Sequence, residues 1–167
     1  ASLMKKGLMK ICNVPVNKKL KIRERSILHF NRNVIPHSKE AYTASNMSGC
    51  IDNYDVFITG SDQVWHPRAY CPAYGLDFVP SHKTKMSYAA SIACDEIPND
   101  FRNVLKERLA DFSGISVREE QAAMLLRDVV TRPVVVSLDP TLLLSKEEWN
   151  DICGKEYCSE PYLFCYP

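Results

Sequence analysis

The sequence contains no long apolar run. Nowhere does it approach the ~20 consecutive apolar residues that a membrane-spanning helix needs, and no continuous apolar stretch follows the lysines near its start, as a secretory signal would require. It also contains no Cys-x-x-Cys pair. Its seven cysteines (Cys12, Cys50, Cys71, Cys94, Cys153, Cys158 and Cys165) are an odd number, and the closest pair, Cys153 and Cys158, is spaced more widely than a zinc knuckle allows. His29, His37, His66 and His82 lie far apart. These gaps speak against a metal and against a disulfide framework, and they suggest reduced thiols in a cytoplasmic protein. Net charge is nearly absent, at +1 from 21 basic and 20 acidic residues, so there is no general case for nucleic acid. No P-loop, Gly-x-Gly-x-x-Gly fingerprint, Ser-His-Asp set or Cys-His pair can be traced, so no cofactor is expected.

What remains is an ordinary globular composition, 46% hydrophobic and 25% charged over 167 residues, enough for one soluble domain with a working core. The near-zero net charge hides an asymmetry. The first 25 residues carry Lys5, Lys6, Lys10, Lys18, Lys19, Lys21, Arg23 and Arg25 against Glu24 alone. Such a run reads first as a solvated helix face or lead-in, with contact to an acidic partner or peripheral association with an anionic membrane as the alternative. Leu20, Ile22, Ile27, Leu28 and Phe30 permit a short amphipathic helix from Lys18 to Arg32, ended by Pro36. Residues 1–50 read as a lead-in and covering segment.

From residue 51 the pattern strengthens. Tyr54 to Thr59 is dense in β-branched and aromatic residues and predicts a buried strand. A long loop from Ser61 to about Asp77 follows, then a second strand over Lys85–Ile92. Phe101, Val104, Leu105, Leu109 and Phe112 form a helical stripe, with Asn99 or Asp100 as its cap. Ile115–Val117 predicts a third strand, and Ala122, Leu125, Leu126 and Val129 the next helix, with Glu119 and Glu120 in its first turn. Val134–Leu138 is a fourth strand. Ser145-Lys146-Glu147-Glu148 is a capping-box pattern that starts a helix running to about Cys153, with Leu144 and Trp149 placed as its staple. Pro161–Tyr166 predicts one more strand. Strands alternating with helices indicate an α/β fold with a Rossmann-like, doubly wound parallel sheet over residues 51–158; residues 159–167 read as the start of a second domain.

Four strands thus end in small or polar residues: Gly60-Ser61-Asp62-Gln63, Ser91, Arg118-Glu119 and Asp139-Pro140. In a parallel sheet those ends share one edge and face one crevice. Gly60 and Ser61 can offer backbone N–H groups to an anion, and Arg118 a permanent planar cation. Asp62 and Gln63 suit sugar hydroxyls, and Trp65 and Tyr70 the apolar face of a pyranose ring. Each has a plainer alternative: Asp62 as a turn cap, Arg118 and Glu119 as a pair bracing the sheet edge, Asp139 as a turn starter, Trp65 as core. His66 is a lone loop histidine.

The ordered series Asp55-Val56-Phe57-Ile58-Thr59-Gly60-Ser61-Asp62-Gln63-Val64-Trp65, Phe78-Val79-Pro80, Lys85–Ile92, Ile115-Ser116-Val117-Arg118-Glu119 and Leu138–Leu144, with Trp149, resembles the polysaccharide pyruvyl transferase family. The resemblance implies transfer of pyruvate from phosphoenolpyruvate to a sugar of a bacterial cell-surface polysaccharide, forming a ketal. It implies a two-domain architecture similar to GT-B glycosyltransferases, this chain being the amino-terminal, acceptor-side part. Site residues expected here are Gly60, Ser61, Asp62, Gln63, Trp65, Arg118 and Asp139, with Asp62, Gln63 and Trp65 against the acceptor, Arg118 as an anion clamp and Asp139 as a brace. The catalytic acid/base groups would lie on a carboxyl-terminal domain beyond Pro167, leaving this chain inert alone. The rival readings are a sugar-nucleotide glycosyltransferase of similar architecture and a non-catalytic carbohydrate-binding or assembly module.

Overall fold

The structure, a computed structural model, describes residues 16–153 and 163. The chain forms two compact units, Ala1–Ala41 and Tyr42–Pro167. The described part of the first unit is dominated by one helix, α1 (Val16–Asn33). Its interior has neither glycine nor proline and is rich in Lys, Arg and Leu, all good helix formers. It closes where Asn33 Nδ2 donates back to the His29 carbonyl at 2.7 Å and Val34 N to the Phe30 carbonyl at 2.9 Å, just before Pro36 rules out another turn.

The second unit holds a small parallel sheet system. β1 (Val56–Thr59) pairs in parallel with β2 (Thr84–Ser87), Val56 opposite Thr84 and Thr59 opposite Ser87. β3 (Ile115–Val117) pairs in parallel with β4 (Val134–Val136). Isolated parallel bridges, Met86 to Gly114 and Ala90 to Val117, join the two pairs into the spatial order β1-β2-β3-β4. The ladder between β2 and β3 is broken because the chain after Ser87 turns through a positive φ of 47° at Ala89. For the same reason the strand expected over Lys85–Ile92 ends as a ladder strand at Ser87 and continues only as single bridges. Serine hydroxyls fill the gap. Ser87 Oγ donates to the Ser116 carbonyl at 3.0 Å and accepts from Ser116 N at 2.9 Å, and Ser116 Oγ accepts from Ala89 N at 3.0 Å. Ser116 Oγ also hydrogen-bonds Ser137 Oγ, just past β4.

Helices α2 (Asn99–Leu109) and α3 (Glu120–Leu126) connect β2 to β3 and β3 to β4, and α4 (Lys146–Ile152) follows β4 after a 3₁₀ turn over Pro140–Leu142. The expected stripe holds: Phe101, Leu105, Leu109 and Phe112 are buried with Phe57, Trp65, Ile115, Val117, Ala122 and Leu126 in one core. The capping box of α4 is formed, Ser145 Oγ accepting from Glu148 N at 3.2 Å and Glu148 Oε2 from Ser145 N at 2.7 Å. The cap of α2 differs from expectation: Pro98 holds the N-cap position, and Asp100 only accepts from its neighbour Phe101 N.

One further expectation is corrected. β1 is buried on one face only: Phe57 and Thr59 are inside, while Val56 and Ile58 are 48% and 60% exposed. A continuous β-branched run cannot distinguish a strand covered on both faces from one covered on a single face. The link from β1 to β2, residues 60–83, contains a 3₁₀ turn (Pro72–Gly75) and no α-helix among its described residues. The strand expected at Pro161–Tyr166 lies outside the described residues.

Candidate functional site

The carboxyl ends of the strands meet as the parallel geometry requires. Asp62 bridges to Ala90, Ala90 to Val117, and Ser137 N donates to the Val117 carbonyl at 2.9 Å, so the segments after all four strands run side by side. The backbone along this edge is unusual. Gly60 has φ +113°, and a Cβ there would sit 2.1 Å from the Tyr88 carbonyl oxygen, so only glycine fits. Asp62 and Ala89 adopt positive φ values of 67° and 47° without being glycine. Such conformations are costly and collect where a surrounding structure holds them for a purpose. Here the hold is visible: the Asp62 carbonyl accepts from Val64 N and Ser91 N, both at 2.8 Å.

Arg118 is the hub of the edge. Its N–H anchors to the Ala90 carbonyl at 3.0 Å. Its guanidinium donates from Nε to Glu119 Oε1 and from one terminal nitrogen to Asp139 Oδ2, both at 3.0 Å, while the other terminal nitrogen stands 3.8 Å from Asp62 Oδ1. These hydrogen bonds to Glu119 and Asp139 push the arginine further above its ordinary range. Asp139 is held down to about 2, first by the side chain and backbone N–H of Thr141, then by Arg118, with the Ser61 hydroxyl also contributing. The Thr141 contacts are 2.7 Å from Oγ1 and 3.0 Å from N. Asp139 is therefore an anion at neutral pH and a weak proton acceptor.

One arginine thus faces three carboxylates. Asp62 makes the longest of the three contacts, and its side chain is 81% exposed. Glu119 is engaged through one oxygen, and the other is buried with no partner. Beside it a cavity of about 250 Å³ opens, lined by Ala93, Cys94, Asp95, Glu119, Gln121 and Ala122. Burial pushes the Cys94 thiol up, and its Sγ donates to the Glu96 carbonyl at 3.0 Å. Among the described residues, no group of three or more His, Cys, Asp or Glu side chains could hold a metal ion.

Of the residues expected from sequence, Ser61, Asp62, Arg118 and Asp139 are brought together, with Gly60 and the exposed Gln63 on the same strand-end turn. Trp65 is not at the surface. It is fully buried, edge-on to Phe112 with ring centroids 6.3 Å apart, and its Nε1 donates to the Tyr74 carbonyl at 3.3 Å. The indole therefore pins the turn from beneath. Tyr70 packs against Phe101 at 5.2 Å, and burial pushes its phenol up to about 12. His66 is tied into its own loop, its Nδ1 accepting from Arg68 N. Sequence reasoning did not single out Thr141 or the Ser87–Ser116–Ser137 chain. The available signal was a serine on each of three successive strands or strand ends.

A parallel α/β arrangement whose strand ends gather hydroxyl and carboxylate groups around one arginine presents a polar edge where sheets of this class bind ligands. The chain belongs to the polysaccharide pyruvyl transferase family, whose model matches residues 3–167. Membership implies transferase chemistry with a polysaccharide acceptor. No curated protein and no solved structure matches the chain.

Proposed function

We propose that the protein transfers pyruvate from phosphoenolpyruvate to a sugar of a cell-surface polysaccharide, and that this strand edge receives the acceptor. The observation that carries the reading is the charge balance at Arg118, where Asp62, Glu119 and Asp139 outnumber the one cation. Carboxylates in excess accept hydrogen bonds from sugar hydroxyls and repel a multiply charged phosphoenolpyruvate. In ketal formation two acceptor hydroxyls bond to the enol-phosphate carbon of phosphoenolpyruvate. One of their protons ends on the methylene carbon, the other on the departing phosphate, and the carbon–oxygen bond to phosphate breaks. Such chemistry needs hydroxyls held in place and a proton acceptor close by. Asp62, exposed and the most loosely held of the three, is placed to orient one acceptor hydroxyl, with Ser61 and Gln63 beside it. Arg118 spends two of its nitrogens on carboxylates, so it suits the role of a brace that holds them better than that of an anion clamp. Asp139, locked as an anion, anchors that brace.

On this reading the phosphoenolpyruvate site and the acid/base groups sit on a second α/β domain facing the edge in a GT-B-like arrangement, in the cytoplasm, and the 167-residue chain has no transferase activity alone. Calorimetric titration of the chain should show heat with acceptor saccharides, lost in Asp62→Ala, and none with phosphoenolpyruvate. Tight phosphoenolpyruvate binding by this chain would reverse the assignment. Radiolabelled phosphoenolpyruvate and radiolabelled nucleotide sugars, offered in parallel to the enzyme in cell extracts, separate pyruvyl transfer from glycosyl transfer.

A further inference from the structure

Thr141 stands behind the carboxylates rather than among them. In the turn Asp139-Pro140-Thr141, proline presets the backbone at the second position, and Leu142 N closes the turn on the Asp139 carbonyl at 2.9 Å. Both donors of Thr141 thereby fall on one oxygen of Asp139, Oγ1 at 2.7 Å and N at 3.0 Å from Oδ1. Trp149, on α4, holds Thr141 from another side, its Nε1 donating to the Thr141 carbonyl at 3.0 Å. With Oδ1 taken twice, Oδ2 is the oxygen that Arg118 meets, at 3.0 Å. A guanidinium is a rigid planar fork, so placing two of its nitrogens places the third. Nε is on Glu119 and one terminal nitrogen on Asp139; the other stops 3.8 Å from Asp62 Oδ1, short of a hydrogen bond.

We propose that Thr141 is a positioning residue for the acceptor: by fixing Asp139 it holds Arg118 off Asp62 and leaves the Asp62 carboxylate free to take an acceptor hydroxyl. This inference rests on the acceptor reading of the edge. Without Thr141 Oγ1, Asp139 keeps one of the two Thr141 donors on Oδ1, and its carboxylate is free to turn. Arg118 then follows it, and the carboxylate it has yet to close on is Asp62. An aspartate locked onto a guanidinium has fewer lone pairs to offer, in fixed directions, to a sugar hydroxyl. The side-chain chemistry gives a clean separation of roles. Valine matches threonine in shape but has no donor, whereas serine keeps the donor and loses only a methyl group.

The test compares the whole chain with Thr141→Val, Thr141→Ser and Thr131→Val, the last in the exposed turn before β4. Methyl glycosides of glucose, galactose and mannose are titrated calorimetrically, and the Asp139 carboxyl carbon is followed by NMR as pH falls. In Thr141→Val, Asp139 should titrate above about 2, toward ~3.9 without reaching it, because Arg118, Ser61 and the Thr141 N–H still face it. Affinity for the glycoside that the wild type binds should fall by about fivefold or more. Thr141→Ser should restore both readouts, and Thr131→Val should change neither. An Asp139 titration that does not move in Thr141→Val overturns the proposal. So does one that moves while glycoside affinity stays at the wild-type level and is still lost in Asp62→Ala, a result that leaves the acceptor reading intact. If the wild type binds none of the glycosides, the acceptor reading itself fails and Thr141 loses its role with it. Trp149→Phe removes the indole N–H and loosens the same turn, so it should weaken glycoside binding in the same direction. Should valine at 141 prevent folding, wild-type affinity in Trp149→Phe overturns the proposal instead.

Discussion

At the scale of single residues, the site is held by groups whose freedom has been removed. Asp139 shows how. Two donors from Thr141, then Arg118, hold its carboxyl at about 2 in the folded protein, while the unfolded chain returns it to ~3.9. A depressed folded value means that the stabilisation is fully present above the unfolded value and is lost as pH falls through the folded one. Chemical denaturation of wild type and Asp139→Asn should therefore differ most at neutral pH. The gap should begin to close below pH ~4 and be gone near pH ~2; a gap independent of pH would contradict this. Gly60 makes a sharper prediction. Gly60→Ala adds a Cβ that would meet the Tyr88 carbonyl in a backbone conformation closed to alanine. It should cost about 2 kcal/mol or more in urea unfolding, whereas a surface Gly→Ala change is nearly neutral or favourable.

At the scale of elements, the joint between β2 and β3 is the point of interest. Backbone rungs are sparse there, and Ser87, Ser116 and Ser137 supply side-chain bonds in their place. Ser116→Ala leaves the Ala89 N–H without its acceptor and removes the partner of Ser137, so a loss of about 1–3 kcal/mol is expected. In a double-mutant cycle with Ser137→Ala the two losses should be non-additive by ~0.5 kcal/mol or more, because the hydroxyls share one bond. Additive losses would show that the chain of hydroxyls does not act as a unit. The same joint explains why the second strand could not be delimited from sequence. Lys85–Ile92 has a strand's composition throughout, and only the positive φ of Ala89 ends its ladder at Ser87.

At the scale of the whole molecule, the parallel topology delivers residues separated by up to 78 positions, from Ser61 to Asp139, to one edge. Arg118→Ala should therefore act on the assembly rather than on one contact. It leaves three carboxylates facing one another, so the thermal midpoint should fall most at neutral pH, and the deficit should shrink in acid as those groups are protonated. Saccharide binding should weaken together with it. If the deficit were the same at pH 3 and pH 7, mutual repulsion among the carboxylates would not be its source.

Helix stripes, the capping box of α4 and the polar endings of the four strands were all legible in the sequence, because each depends on residues only a few positions apart. The family was legible too, from the order of those endings. Whether Arg118 was free or engaged could not be read, since its partners lie one, 21 and 56 residues away and only the sheet brings them together. Nor could the place of Trp65, for an indole at a strand end is equally suited to a sugar and to a core. Packing against Phe112 and a hydrogen bond to the Tyr74 carbonyl decided that it is core. Local periodicity and capping chemistry were thus determined by the sequence alone. Which side of a residue faces solvent, and which charge meets which, depends on long-range contacts, and tertiary structure alone decided them.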